Sequence, residues 1–279
     1  MSSSETGTVT YLFALSAARP PEEALSPVAG HPGGGPLRTL RAGRVHLVVQ
    51  DVPAAAFARE ALTDRLNRPE ELERCALAHH RGVAAAAPYG PVVPLPLATV
   101  YLNDGNAVAA VASQERTVLD VFARLTGRTE WAVKVHAAAP ETAAGPPASS
   151  GEGGPGGGRS YLSRASARQR RERDRHETAR AVARTVDRAL RAHAADATSH
   201  RPQSEQLTGR KAPQLLNAAY LVDDDRRAGF LAELRRLRAD DRLAGVDVTW
   251  SGPWVPYSFA RLDEPVPTAL AAAAGEGAR

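Results

Sequence analysis

Four short constellations in this chain carry side chains able to do chemistry, and their spacing decides what each could do. His79-His80 is the only histidine pair. Two imidazoles on a helix can hold zinc when they stand as H-E-x-x-H, with the glutamate as general base. That motif is absent, and no Asp or Glu follows at helical spacing, so the pair is expected to pack or to hydrogen-bond locally. Cys75, the single cysteine, excludes an intramolecular disulfide and cannot alone build a structural zinc site. It falls on the apolar side of the same helical pattern, where a thiol behaves as a small hydrophobe. Asp223-Asp224-Asp225 offers carboxylates for Mg²⁺, yet no phosphate-binding loop accompanies it, and helix capping is the expected role. Gly151-Glu152-Gly153-Gly154-Pro155-Gly156 spells G-x-G-x-x-G, but Pro155 lies inside it and no strand leads directly into it. A dinucleotide site needs those glycines at a strand–helix turn, so this is low-complexity sequence. No Ser-His-Asp order with a nucleophile elbow appears either. The expectation is a protein that is not an enzyme, with no catalytic residue, cofactor or metal.

Charge is the other chemical resource. Lys134 and Lys211 are the only lysines, so the basic side chains are almost all arginine. Residues 159–196 hold 11 arginines against five acidic residues, a net of +6 in a chain whose total is +4. Residues 160–195 read as one long helix with a narrow apolar stripe of Ala179, Val182, Val186 and Leu190. Opposite charges stand four apart at Arg168–Glu172, Arg170–Asp174, Arg173–Glu177 and Asp187–Arg191. Such pairs contribute ~0.2–0.5 kcal/mol each, less in the Arg-first order of the first three. Two readings stay open: a solvated, ion-paired face, or a docking surface for an acidic partner that uses Arg164, Arg168, Arg171 and Arg175. Nucleic-acid binding is the alternative function. Against it stand the acids among the arginines, the lack of aromatics in the helix interior and the lack of a recognition motif.

The elements that position these groups follow from periodicity. Residues 9–15 and 44–52 have the β-branched and aromatic content of strands. The Pro/Gly-rich stretch 20–36 between them has no period. A helix is predicted from Asn67, as cap, to about Ala87, with Leu72, Cys75, Ala76, His79 and Val83 on one face. Pro94 and Pro96 make residues 92–101 an extended edge segment leading into a short strand. Ser113 is expected to cap a helix whose stripe is Val118, Leu119, Val121, Phe122 and Leu125. Residues 130–136 alternate cleanly, with Trp131, Val133 and Val135 on one face and Lys134 on the other. Residues 215–222 form a strand, residues 225–240 a helix striped by Phe230, Leu231, Leu234 and Leu237, and residues 246–250 a further strand. This makes a β–α–β unit of ferredoxin-like type, with only three clear strands in that half.

The expected fold class is α+β: two domains with antiparallel sheets and packed helices. An N-terminal domain spans 1–112, and a ferredoxin-like domain spans 113–261, interrupted by a flexible linker at 137–158. A flexible tail follows at 262–279. The 279 residues suit two domains. No apolar run nears the ~20 residues that cross a bilayer, and the N-terminus lacks the basic and apolar regions of a secretory signal. A cytoplasmic location without membrane contact is expected.

Several blocks, in order, resemble the GvpL/GvpF family of gas vesicle proteins from Tyr11 to Phe259. They are the opening strand at Tyr11, the helix with His79-His80, Val93-Pro94-Leu95 with Thr99, and Glu130-Trp131-Ala132-Val133-Lys134-Val135. Gly158-Arg159-Ser160-Tyr161-Leu162 and Ala219-Tyr220-Leu221-Val222 follow. The most specific block closes the series: Gly252-Pro253-Trp254-Val255-Pro256-Tyr257-Ser258-Phe259. The chain departs from the family at Pro96-Leu97-Ala98, where Arg-Phe-Gly is common, and at Val255, where Pro is common. The resemblance implies a structural accessory protein of gas vesicle assembly, located at the gas vesicle. Its implied partners are the small hydrophobic shell protein and other gas vesicle accessory proteins. Trp131, Lys134, Tyr220, Pro253, Trp254 and Tyr257 then stand as structural motif residues. Trp254, stiffened by Pro253 and Pro256, is expected to anchor the C-terminal segment in the core.

Overall fold

The computed structural model describes residues 7–138, 157–201, 212–243 and 245–262, and for 157–165 the backbone alone. The expected linker 137–158 and tail 262–279 lie almost entirely outside the described residues. By internal packing the chain forms two compact units, Met1–Arg128 with Val255–Arg279, and Thr129–Trp254.

The first unit is built around a strand with no solvent face. In β1 (Thr8–Ser16) the seven residues from Thr10 onward are all buried. Side chains alternate between the faces of a strand, so both faces of β1 must be covered. β2 (Arg38–Ala42) and β3 (Val45–Pro53) form an antiparallel hairpin, and β3 pairs antiparallel with β1. The other edge of β1 carries β4 (Val92–Pro94) and β5 (Val100–Tyr101), giving the order β2-β3-β1-β4 with β5 also on β1. The double proline at 94 and 96 does lie in an edge segment, as proline's missing N–H requires.

Two short helices, α1 (Glu22–Leu25) and α2 (Ala54–Phe57), and α3 (Arg59–Leu66) precede the long α4 (Pro69–Ala86). α4 starts as expected at a proline in its first turn, but Arg68, not Asn67, is its N-cap. Its buried face is Cys75, Ala78, His79, Gly82, Val83 and Ala86. Leu72 and Ala76, expected on that face, are exposed. The rotation follows from Gly82, whose missing side chain lets the helix close on Phe13 of β1. A Cβ there would lie 2.5 Å from the Phe13 ring. Tyr11, Phe13, Val48, Val52, Leu62, Val83 and Ala86 form the core on this side. α5 (Asp104–Ala112) and α6 (Glu115–Leu125) follow, with Val118, Val121, Phe122 and Leu125 of α6 buried. Asn103 caps α5 by accepting the Asn106 N–H at 2.9 Å, whereas Ser113 ends α5 and does not cap α6. α6, grouped by sequence with the C-terminal part, packs on β3 and β4 of the first sheet.

The second unit runs β6 (Arg128–Ala137), α7 (Gly157–Arg191), β7 (Asp196–Ser199), β8 (Gln214–Asp223), α8 (Arg227–Ala239) and β9 (Val246–Trp254). The sheet order is β7-β8-β6-β9. β7 supplies the fourth strand that the sequence reading lacked. Trp131, Val133 and Val135 of β6, Ala183, Val186 and Leu190 of α7, Tyr220 of β8 and Phe230, Leu234 and Leu237 of α8 share one core. The triple aspartate does not cap α8. Residues 223–226 form a turn in which the Arg226 N–H donates to the Asp223 carbonyl at 2.9 Å, and Arg226 is the N-cap.

Gly82→Ala tests the close approach of α4 to β1. Alanine favours an isolated helix by about 1 kcal/mol, yet here its methyl must displace the buried Phe13 ring. The expected outcome is a net loss of ~1–3 kcal/mol, read from the denaturant midpoint.

Candidate functional site

The Gly252–Phe259 motif straddles the two units. Gly252 has φ +144, and a Cβ on it would lie 2.9 Å from the Glu130 carbonyl oxygen and 3.0 Å from the Trp131 ring. Only glycine lets β9 pass this close to β6. Trp131 is buried there, near Phe230 and with the Arg227 guanidinium 5.6 Å from its ring centroid. Trp254 is not a core anchor. It is 48 % exposed and its indole N–H donates to Ser251 Oγ at 3.1 Å. Pro253 beside it is exposed too. The prolines stiffen the segment, but the end of β9 directs the indole outward. Past Trp254 the chain joins the first unit. Val255 packs against that unit's core, Pro256 and Phe259 are buried, and the Phe259 carbonyl accepts from Arg124 at 2.7 Å. Tyr257 is exposed, with its hydroxyl 3.3 Å from His80 Nδ1.

Lys134 is half-buried on the face of β6 opposite Trp131. Tyr220 is fully buried and ties β8 to α7. Its hydroxyl donates to Asp187 Oδ1 at 2.6 Å, and Asp187 Oδ2 accepts from Arg191 at 2.9 Å. Burial first, and then this bond to a carboxylate, push the Tyr220 phenol well above its ordinary range. Of the four charge pairs read on α7, this Asp187–Arg191 pair is an ion pair among the described residues. Arg168, Arg171 and Arg175 are exposed. Arg164 lies where the side chains are outside the described residues.

The histidine pair diverges. His80 faces solvent beside Tyr257, while His79 is buried between β1 and the 95–99 segment. Its Nε2 is 3.0 Å from the Leu95 carbonyl and its Nδ1 is 2.9 Å from the Tyr11 hydroxyl. A carbonyl can only accept, so Nε2 carries the proton and Nδ1 accepts from Tyr11. The Tyr11 oxygen in turn accepts the Ala98 N–H at 3.0 Å. The sequence reading expected this pair to pack or to hydrogen-bond locally; His79 does pack, but its hydrogen bonds reach Tyr11 and Leu95, far along the chain. That reading missed His31, which is buried against Phe13, Tyr11 and Phe57 with neither ring nitrogen hydrogen-bonded. Burial lowers both histidines from 6.5 to about 4. His79 adds a like-charge penalty on His31, as does Arg65. His31 sits in an aperiodic glycine-rich stretch, and no sequence signal marks it. Also unread was Arg38, whose guanidinium donates to both Asp51 and Asp104 and joins β2, β3 and α5.

Among the described residues no three His, Cys, Asp or Glu side chains are placed to share a metal ion. Cys75 is buried, 3.5 Å from Arg65 Nη2. Among the described residues no helix is long and apolar enough to cross a membrane.

These features define a class: a two-unit α+β protein on antiparallel-paired sheets, with Trp131 and Tyr220 buried, Trp254 and Tyr257 exposed, and an arginine-rich helix exposed over residues 166–175. The family model for "Gas vesicle synthesis protein GvpL/GvpF" matches residues 9–261, and the chain belongs to this family. A similar curated protein is gas vesicle protein L of Streptomyces sp. (strain CB03234), 35% identical over 263 residues that cover 93% of this chain and 95% of the relative. The fold is similar to the crystal structure of gas vesicle protein GvpF from Anabaena sp. PCC7120. The TM-score is 0.63 at 14% identity, over 92% of this chain and 98% of that one. GvpF from Microcystis aeruginosa gives 0.55 at 15% identity, over 91% and 99%.

The two tryptophans of the motif region should separate under truncation. Trp131→Ala is expected to cost ~3–5 kcal/mol, as for a buried aromatic. Trp254→Ala should move the denaturant midpoint by no more than ~0.5 kcal/mol, as for an exposed site.

The buried histidines predict an acid-sensitive fold. Both bind a proton more weakly folded, at about 4, than unfolded, at 6.5. The unfolded state therefore takes up more protons between these values. Stability is complete above pH 6.5 and is lost as pH falls toward 4. Urea midpoints at pH 7.5 and 5.5 should show the drop in the wild type. His31→Phe, which keeps an aromatic ring, should show a smaller one.

Proposed function

We propose that this chain is an accessory protein of gas vesicle assembly that binds the small hydrophobic shell protein while the vesicle nucleates or grows in the cytoplasm. The family match over residues 9–261 carries the reading. A shell subunit must present an apolar surface toward gas, so before assembly it is exposed to aggregation, as any large apolar patch is. A non-enzymatic binder can hold such a subunit by covering that surface or by adding to a strand edge. Both sheets support the second mode: β2 in the first unit, and β7 and β9 in the second, are terminal strands among the described residues. The second unit supports a ferredoxin-like reading through the strand–helix–strand–strand–helix–strand succession of its described residues and through its strand order. The buried motif residues Trp131 and Tyr220 act structurally, and Arg164, Arg168, Arg171 and Arg175 meet acidic residues of the partner, which changes association rate more than affinity.

Tagged chain co-expressed with the shell protein should capture it, and the purified pair should associate at micromolar concentration. Absence of any interaction overturns the proposal. Normal vesicles in cells lacking this chain and every paralogue overturn it equally.

A further inference from the structure

α7 changes character along its described side chains. Among these the buried positions, Ala179, Ala183, Val186 and Leu190, lie in its C-terminal part, where it packs on the second sheet. Every residue from Ser166 to Arg175 is exposed, on all sides of the helix. That is about 15 Å of helix with no packed face, at ~1.5 Å per residue. A helix polar all round needs another source of order, commonly ion pairs along its surface or a partner. The pairs Arg168–Glu172, Arg170–Asp174 and Arg173–Glu177 do not form ion pairs here, although the spacing would allow them.

The arginines are not scattered evenly around this segment. Residues three or four apart share a helix face. Stepping back along the packed stripe from Leu190 through Val186, Val182 and Ala179, the next positions are Arg175, Arg171 and Arg168. The face that meets the sheet thus continues as three arginines where the sheet ends, with Glu172 beside them. The opposite face holds Arg170 and Arg173, Asp174 lies at the border between the two faces, and Glu177 and Arg180 follow beyond the segment. The side that continues the packed stripe is therefore the more basic of the two.

We infer that Arg168, Arg171 and Arg175 form a docking face for an acidic helical segment of the shell protein, laid along α7 where the sheet no longer covers it. This rests on the proposed function and deepens it: three of the arginines named there share the one face that continues the packed stripe, and the acidic element they meet is a helix. A helix with carboxylates three and four apart matches the repeat of the arginine face.

Two triple variants with equal charge change test it: Arg168→Gln/Arg171→Gln/Arg175→Gln, and Arg170→Gln/Arg173→Gln/Arg180→Gln as control. Circular dichroism confirms that each retains its helix. The probes are the shell protein, a synthetic helical peptide with glutamates at i, i+3, i+4 and i+7, and an RNA hairpin. The first triple should slow association with shell protein and with peptide by about tenfold at low salt and change dissociation less, with the difference vanishing near 1 M salt, where the Debye length is ~3 Å. The control should change either by no more than about twofold. Equal losses in both triples overturn the proposal, since the contact would then be general charge. Unchanged shell binding in the first triple overturns it too while leaving the proposed function standing. A wild type that binds the peptide through this face but not the shell protein sinks the proposed function and the assigned partner together. RNA retention that depends on this face and exceeds peptide binding overturns it in favour of a nucleic acid.

Discussion

Water is excluded from both faces of β1, and the first unit is arranged around that constraint. A strand with seven consecutive buried residues must cover its apolar side chains twice and pair every polar one. Its three polar side chains in this run are each paired. Thr10 donates to Asp104, Tyr11 bonds His79 and Ala98, and Ser16 donates to the Ala18 carbonyl. Asp104 in turn is held by Arg38, and its carboxyl titrates lower than usual because of that bond. One strand thus recruits α4 on the Phe13 side, the start of α5 through Thr10, and the 95–99 segment through Tyr11.

The second unit meets a similar demand with one helix. Leu190 and Val186 bury α7 against the sheet, and the Tyr220–Asp187–Arg191 chain fixes its rotation about its own axis. Rotating α7 by one residue would take Asp187 off the Tyr220 hydroxyl and turn Val186 toward solvent. Packing and hydrogen bonding therefore select the same orientation.

Legibility in the sequence followed periodicity. β1, β3, β6, β8, α6 and α8 were all readable, because each has a long apolar or alternating pattern whose face the fold then uses; α4 was readable as a helix, but Gly82 turns its buried face away from Leu72 and Ala76. β2 and β7 were not. Arg38–Ala42 carries two arginines and is half-exposed, and Asp196–Ser199 is short and polar; both are strands because a neighbour supplies their hydrogen bonds. Ser113 was mistaken for a cap because cap residues are defined by backbone angles, and it is Asn103 that is extended at a helix start. Trp254 misled for a different reason. Its type and its prolines speak for burial, but the register that sets its direction is interrupted between Glu130 and Ala132, opposite it, and only the paired strands reveal that. His31 left no trace in the pattern, since its burial comes from aromatics brought in by β1 and α2.

The chain leaves the first unit at Arg128 and returns at Val255, and Glu130 pairs with Trp254, so both crossings stand one strand spacing apart. The second unit is thus an insertion between two pieces of the first. Synthesis delivers those pieces far apart in time. The helix α6 waits for the carbonyl of Phe259, and the first core waits for Val255, until the whole of the insertion has been made. During translation the second unit can close on itself as soon as β9 emerges, whereas the first is completed only afterwards, so the domain begun earliest is the one finished last.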